Sequence, residues 1–135
     1  MDCAEEVALL RREGHKVSAL HLSFLQPMQP GIKEILQRFR QVITIEANWS
    51  DDPQDELIDE TNRRYSALAM LLRARYLVDV DCWSEVRGRP IKPGTICEVL
   101  RRRLAQESTR SGVPRRPACI TCSRSSASAR TTRAA

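Results

Sequence analysis

Chemistry in a polypeptide begins with side chains that can hold a proton, a metal or a nucleophile's charge, and this chain offers few sets of them. Cys119-Ile120-Thr121-Cys122 is a CxxC pair. As a zinc half-site it wants a second pair at similar spacing. As a redox motif it wants a preceding strand and a helix whose N-terminus lowers a thiol pKa. The surrounding sequence supplies neither context, so the spacing reads as incidental. Cys3, Cys82 and Cys97 bring the total to five cysteines, an odd and scattered set. A four-thiol iron–sulfur site would have to borrow Cys82 and Cys97 from a strand and a helix of the body. His15 and His21 have no HxxxH or HExxH partner, and an acid–base role needs a positioned partner, so neither reads as catalytic. No GxxxxGK[ST], GxGxxG or GxSxG is present. The acidic run Asp51, Asp52, Asp55, Glu56, Asp59, Glu60 lacks the glycine and closing glutamate of a calcium loop; it reads as the solvated start of a helix. That leaves Glu46 and Asn48, which follow a strand. Ligands of open α/β sheets gather beyond the carboxyl ends of strands, so this pair faces a partner subunit or an active site, or else Asn48 merely caps its own loop.

The elements that would position these residues alternate between two hydrophobic periods. Residues 4–12 form a helical face, ended by Gly14 at a position where glycine accepts positive φ cheaply. Residues 16–24 read as a strand, ended by Pro27 and Pro30. Pro30-Gly31 opens a helix through Phe39. Residues 41–47, QVITIEA, suit a strand buried on both faces. After the loop at 48–53, one long helix is expected from Gln54 to Arg75, with an acidic start and a basic end that complement its dipole. Residues 77–83 read as a third strand, and residues 95–104 as a last helix. Strands alternating with helices imply a layered, mostly parallel α/β sheet with right-handed crossovers. The chain opens on a helix, so the sheet is expected to lack its first strand.

The chain has 135 residues, 41% of them hydrophobic, 29% charged and 4% aromatic, the mixture of a single globular domain. No apolar run reaches the roughly 18 residues of a membrane helix. The N-terminus is acidic where a signal peptide would be basic. With an odd, scattered set of cysteines, reduced thiols in the cytoplasm are the expectation. The net charge of +5 is uneven. Residues 1–107 hold sixteen Lys and Arg against seventeen Asp and Glu, while residues 108–135 hold six Arg and no acid. Calling the whole protein basic would average two unlike parts. Residues 1–107 are expected to form the α/β domain. Residues 108–135, rich in Arg, Ser and Ala, are expected to be a structureless tail. Such a switch in composition is also what out-of-frame translation of a GC-rich gene produces. The tail's arginines could contact nucleic acid by counterion release, but it has no aromatics to stack on bases, so nucleic acid is not the expected partner.

The stretch from Val7 to Leu104 carries an ordered string: Leu10-x-x-Glu-Gly-x-x-Val17, Leu20-His-Leu-x-Phe-Leu-x-Pro27, Val42-Ile-Thr-Ile-Glu46-x-Asn48, Leu71-Leu-Arg-Ala-Arg75 and Arg87-Gly-Arg-Pro-Ile-Lys-Pro93. In order and spacing this resembles the C-terminal domain of the α subunit of 2-oxoacid:ferredoxin (acceptor) oxidoreductases, most closely the 2-oxoglutarate type. The resemblance implies a three-layer domain of the transketolase C-terminal type, mainly architectural and subunit-contacting. It implies a complete enzyme that oxidatively decarboxylates a 2-oxoacid with coenzyme A, makes an acyl-CoA and reduces ferredoxin. That enzyme uses thiamine diphosphate, Mg²⁺ and, in most members, iron–sulfur clusters, held on other domains or subunits. The expected partner is a β subunit. No catalytic, cofactor-binding or metal residue is expected in this chain, with Glu46 and Asn48 kept as a subunit- or active-site-facing loop. Where family members often carry a Gly-Gln pair, this chain has Trp49-Ser50-Asp51-Asp52-Pro53. The alternative reading is a stand-alone α/β interaction module with a basic nucleic-acid-binding tail.

Overall fold

The computed structural model describes residues 3–110 and 118–123. In chain order the elements are α1 (Cys3–Arg12), β1 (Val17–Leu22), α2 (Ile32–Leu36), β2 (Gln41–Glu46), α3 (Ala67–Tyr76), β3 (Asp81–Ser84), α4 (Pro93–Arg110) and β4 (Ala118–Ser123). The four strands form one sheet in the order β1-β4-β2-β3, and every pairing is parallel. The expected α/β sheet between helix layers is present.

Side-chain alternation along the strands divides the core in two. Val17, Ile43, Ile45, Ala118 and Ile120 face α1 and α4, meeting Val7, Leu10, Ile96, Leu100 and Leu104. Val42, Cys82 and Cys119 face α2 and α3, meeting Ile32, Leu36, Leu68, Ala69 and Leu72. β2 runs Val42-Ile43-Thr44-Ile45-Glu46 with every residue buried, because helices cover both of its faces.

Two expectations are corrected. The tail is not structureless from residue 108: α4 continues to Arg110, and Ala118–Ser123 forms a strand inside the sheet. Ala118, Cys119 and Ile120 are each 1% exposed. A short run without charge, apolar on both faces, gains most from a central position. Among the described residues the sheet therefore has four strands, and β4 pairs with both β1 and β2. The rest of the expected tail, residues 111–117 and 124–135, lies outside the described residues.

The second correction concerns the long helix over 54–75. Only its second half is helical. The acidic residues expected to start it instead bind the backbone in Asx turns: Asp52 Oδ1 accepts from Gln54 N–H at 2.9 Å, Asp55 Oδ1 from Leu57 N–H at 3.0 Å, and Asp59 Oδ1 from the N–H of Thr61 and Asn62 at 2.7 and 3.0 Å. Short acidic side chains offer the backbone this alternative to a helix. The loop is closed at its neck by Asp51 and Arg64, which exchange backbone and side-chain hydrogen bonds.

Candidate functional site

In a doubly wound sheet the crevice that takes ligands lies outside the carboxyl ends of the strands, where connections leave to opposite faces. Among the described residues, the chain leaves β2 toward α3 on one face and its neighbour β3 toward α4 on the other, so that place lies between β2 and β3. The β2 side of it is built by Glu46, Asn48, Trp49 and Ser50.

Glu46 is the most heavily used polar group in the described structure. Its side chain is 3% exposed. Its carboxylate accepts from Thr44 Oγ1 at 2.7 Å, Asn48 Nδ2 at 2.7 Å, Leu68 N–H at 2.8 Å, Ala69 N–H at 3.1 Å and the Ser66 hydroxyl. Leu68 and Ala69 lie in the first turn of α3, whose amides have no helical acceptor. Ser66 occupies the N-cap position but makes no side-chain cap to the helix, and the first turn of α3 holds no acid. Glu46, reaching over from β2, supplies both the cap and the negative charge that the helix dipole favours. A helix N-terminus is an anion site; in this one a carboxylate of the chain itself takes the anion's place.

Asn48 joins the pair expected from the sequence: its amide nitrogen holds Glu46 Oε2, while its Oδ1 is buried without a hydrogen-bond partner. Ser50 Oγ lies 2.5 Å from Ser84 Oγ, tying the loop after β2 to the end of β3. The loops leaving this edge also expose large apolar side chains: Phe24 after β1 and Trp49 after β2 are each 65% exposed, and Val86 after β3 is 58% exposed. The guanidinium of Arg64 sits 5.5 Å from the Trp49 ring.

A second cleft, of about 230 Å³, opens near the other end of β2 and β3, lined among others by Arg40, Gln41, Arg63, Tyr65, Arg73 and Asp81. Tyr65 lies between two guanidinium groups, Arg63 at 4.5 Å and Arg73 at 4.3 Å. Arg63, with 8% of its side chain exposed, pairs with Asp81 at 2.7 Å and donates to the Cys82 carbonyl at 3.1 Å. Asp81 also receives Arg103 at 2.8 Å, and Arg73 pairs with Asp79 at 2.6 Å. These pairs pin the loop ahead of α3 and the helix α4 onto edge strand β3. The cleft is lined by three arginines, Arg40, Arg63 and Arg73, and three acids, Glu60, Asp79 and Asp81, so it carries matched charge and reads as a structural clasp.

The remaining sequence candidates are dispersed. His15 precedes β1 and His21 lies near its far end, exposed on this edge strand. Cys119 is buried in β4, and burial pushes its thiol up to about 11. The CxxC thus runs along an extended strand, where positions three apart fall on opposite faces, and not at a helix N-terminus. Cys82 and Cys97 are buried against opposite faces of the sheet. Among the described residues no group of three His, Cys, Asp or Glu could hold a metal ion, and no helix is long and apolar enough to cross a membrane. Sequence reasoning missed the Glu46–α3 contact because it placed the helix start 13 residues too early. The signal available was Ser66, a good N-cap residue directly before an apolar helical run.

Comparison with known proteins adds one relative. No family model matches the chain, and no solved structure does. The chain is 32% identical over 95 residues, 70% of its length, to the 2-oxoglutarate oxidoreductase subunit KorA of Mycobacterium tuberculosis. It spans only 12% of that subunit. The chain is thus similar to part of an oxidoreductase subunit.

Proposed function

We propose that this chain is a structural and subunit-contact domain of a 2-oxoglutarate oxidoreductase of the KorA kind, comparable to the C-terminal domain of an α subunit. The observation that carries the reading is the similarity to KorA over 95 residues, coupled to what the candidate site does with its polar groups. Glu46 is consumed in holding β2, Ser66 and α3 together, which is architecture. The exposed Phe24, Trp49 and Val86 on the same edge form the surface that would pack on a neighbouring domain or on a β subunit. The family's activity would be the oxidative decarboxylation of a 2-oxoacid to an acyl-CoA with reduction of ferredoxin, carried out by the assembled enzyme.

The residues present do not fit the family's cofactors. The N-terminus of α3, the place a diphosphate would seek, is filled by the Glu46 carboxylate. Cys82 and Cys119 are core residues, and no described cluster suits a metal. On this reading thiamine diphosphate, Mg²⁺ and any iron–sulfur cluster would be held by other parts of the enzyme.

The test is co-expression with the remaining part of a KorA-type subunit and its partner subunit, followed by an assay of 2-oxoglutarate- and CoA-dependent reduction of a viologen dye. Activity that requires this chain supports the reading. Absence of any complex refutes it.

A further inference from the structure

The ion pairs of the cleft near the start of β2 and β3 do not use up the space they enclose. Its volume is about 230 Å³, where one water needs only roughly 10–15 Å³. Nor do they use up its polar atoms. Arg63 is held three ways: Nη1 donates to Asp81 Oδ1 at 2.7 Å, Nη2 donates to the Cys82 carbonyl at 3.1 Å, and the guanidinium lies 4.5 Å from the centre of the Tyr65 ring. The side chain is 8% exposed. Its Nε–H is nevertheless buried with no hydrogen-bond partner, and a planar fork held at its other two nitrogens cannot turn that donor toward solvent. Gln41 lines the same cleft, and its Oε1 is also buried without a partner.

Folded chains leave few buried polar atoms unpaired, and each one that remains calls for a specific cause. Here a donor and an acceptor line one cleft. The charges beside them narrow what fills it. A simple anion would meet the carboxylates of Glu60, Asp79 and Asp81, and a simple cation the guanidinium groups of Arg40, Arg63 and Arg73. Like charges brought into contact away from water are strongly disfavoured. A molecule carrying both signs a few ångströms apart meets each with its opposite. Asp79 is engaged with Arg73, and Asp81 with Arg63 and Arg103. Glu60 enters none of these pairs and is exposed, so it offers a carboxylate on the open side of the cleft.

We propose that this cleft is a binding site for a small zwitterion of the free α-amino acid class. The ligand's carboxylate accepts from the Arg63 Nε–H, a charge-assisted hydrogen bond that completes the arginine fork. Its ammonium group donates to Gln41 Oε1 and to the Glu60 carboxylate. Tyr65, held between Arg63 and Arg73, walls the site. The volume suits such a ligand, since an apolar cavity of about 150 Å³ already admits benzene. The site lies toward the opposite ends of β2 and β3 from Glu46 and Asn48, and it does not depend on the oxidoreductase role proposed above.

The Arg63 Nε–H is a built-in reporter, because proton–nitrogen correlation spectra of the full chain observe arginine Nε–H groups directly. The experiment titrates the α-amino acids singly, each to about 10 mM, a range that captures millimolar affinities. At least one should move the Arg63 Nε–H resonance saturably, with a Kd at or below about 1 mM. Acetate, ethylamine and acetamide each carry one of the two charges or neither, and should bind at least about 10-fold more weakly. Gln41→Leu removes the buried acceptor and should weaken amino-acid binding about 10-fold. Glu60→Gln should weaken it about 3-fold, the smaller effect expected of an exposed charge, and because Glu60 enters none of the cleft's ion pairs its backbone spectrum should match that of the parent. No saturable shift with any amino acid overturns the proposal and leaves the cleft to ordered water. Acetamide or acetate binding as tightly as the best amino acid overturns the zwitterion. Affinity unchanged in Glu60→Gln and in a folded Gln41→Leu places the ligand elsewhere and refutes the site.

Discussion

Replacing Glu46 by alanine removes the acceptor of five donors in one step. Asn48 is half-buried and can turn its amide toward water. Thr44 and Ser66 cannot, since both are 0% exposed; Thr44 keeps only a long 3.5 Å contact to the Asp81 carbonyl, and a stranded buried donor such as the Ser66 hydroxyl costs about 1–3 kcal/mol. The Leu68 and Ala69 amides lose their cap, worth about 1 kcal/mol. Relaxation and water entry recover part of this, so the net loss should be about 3–5 kcal/mol, the range for breaking a buried polar network. Set against the roughly 5–15 kcal/mol of a typical domain, this is a large fraction. With a urea dependence of about 2 kcal/mol per molar, the unfolding midpoint should fall by about 2 M. Glu46→Gln keeps the shape and one carbonyl oxygen but presents an NH₂ to the other donors, so its loss should be intermediate, about 2 kcal/mol on the same scale. Equilibrium urea unfolding followed by circular dichroism measures both. A midpoint shift below about 0.5 M for Glu46→Ala, at that urea dependence, would show that Glu46 does not hold α3 and would reopen it as a free functional carboxylate.

Ending the chain at Arg110 removes β4, the only described partner of β1, and should abolish cooperative thermal unfolding; a melt like that of the full chain would contradict the central placement of residues 118–123. Arg101 hydrogen-bonds the Glu13 carboxyl and holds it below its ordinary value of 4.5. The unfolded state then binds more protons than the folded state in that window, so stability from this pair is present above pH 4.5 and is lost as the pH falls through the folded value; the difference between Glu13→Gln and the parent in urea titrations should shrink accordingly. Leu77 caps the end of α3 at φ 53° with 86% of its surface exposed, so Leu77→Gly should stabilise by up to about 1 kcal/mol, a rise of about 3 °C in Tm. A fall in Tm would mean that Leu77 makes a contact worth more than its backbone strain.

Local pattern alone determined much of this fold. The buried run of β2, the apolar face of α1 and the glycine after it are set by nearest neighbours in sequence, and they sit where their periods placed them. The parallel sheet followed from alternation of strand and helix, which leaves few right-handed arrangements. The pair Glu46 and Asn48 was also legible, as polar residues after a strand. Their partners were not. The cap on α3 joins residues more than 20 positions apart, and the acids that looked like the start of a helix had turns to make with their own backbone. Nor does anything local mark Ala118–Ser123 as the centre of a sheet. Six residues without charge, set among arginines and serines, acquire a structure only when β1 and β2 offer two open edges and helices cover both faces. Periodicity records which side of an element is apolar; which strand fills the gap between two others depends on backbone partners and crossover handedness, and only the folded chain brings those together.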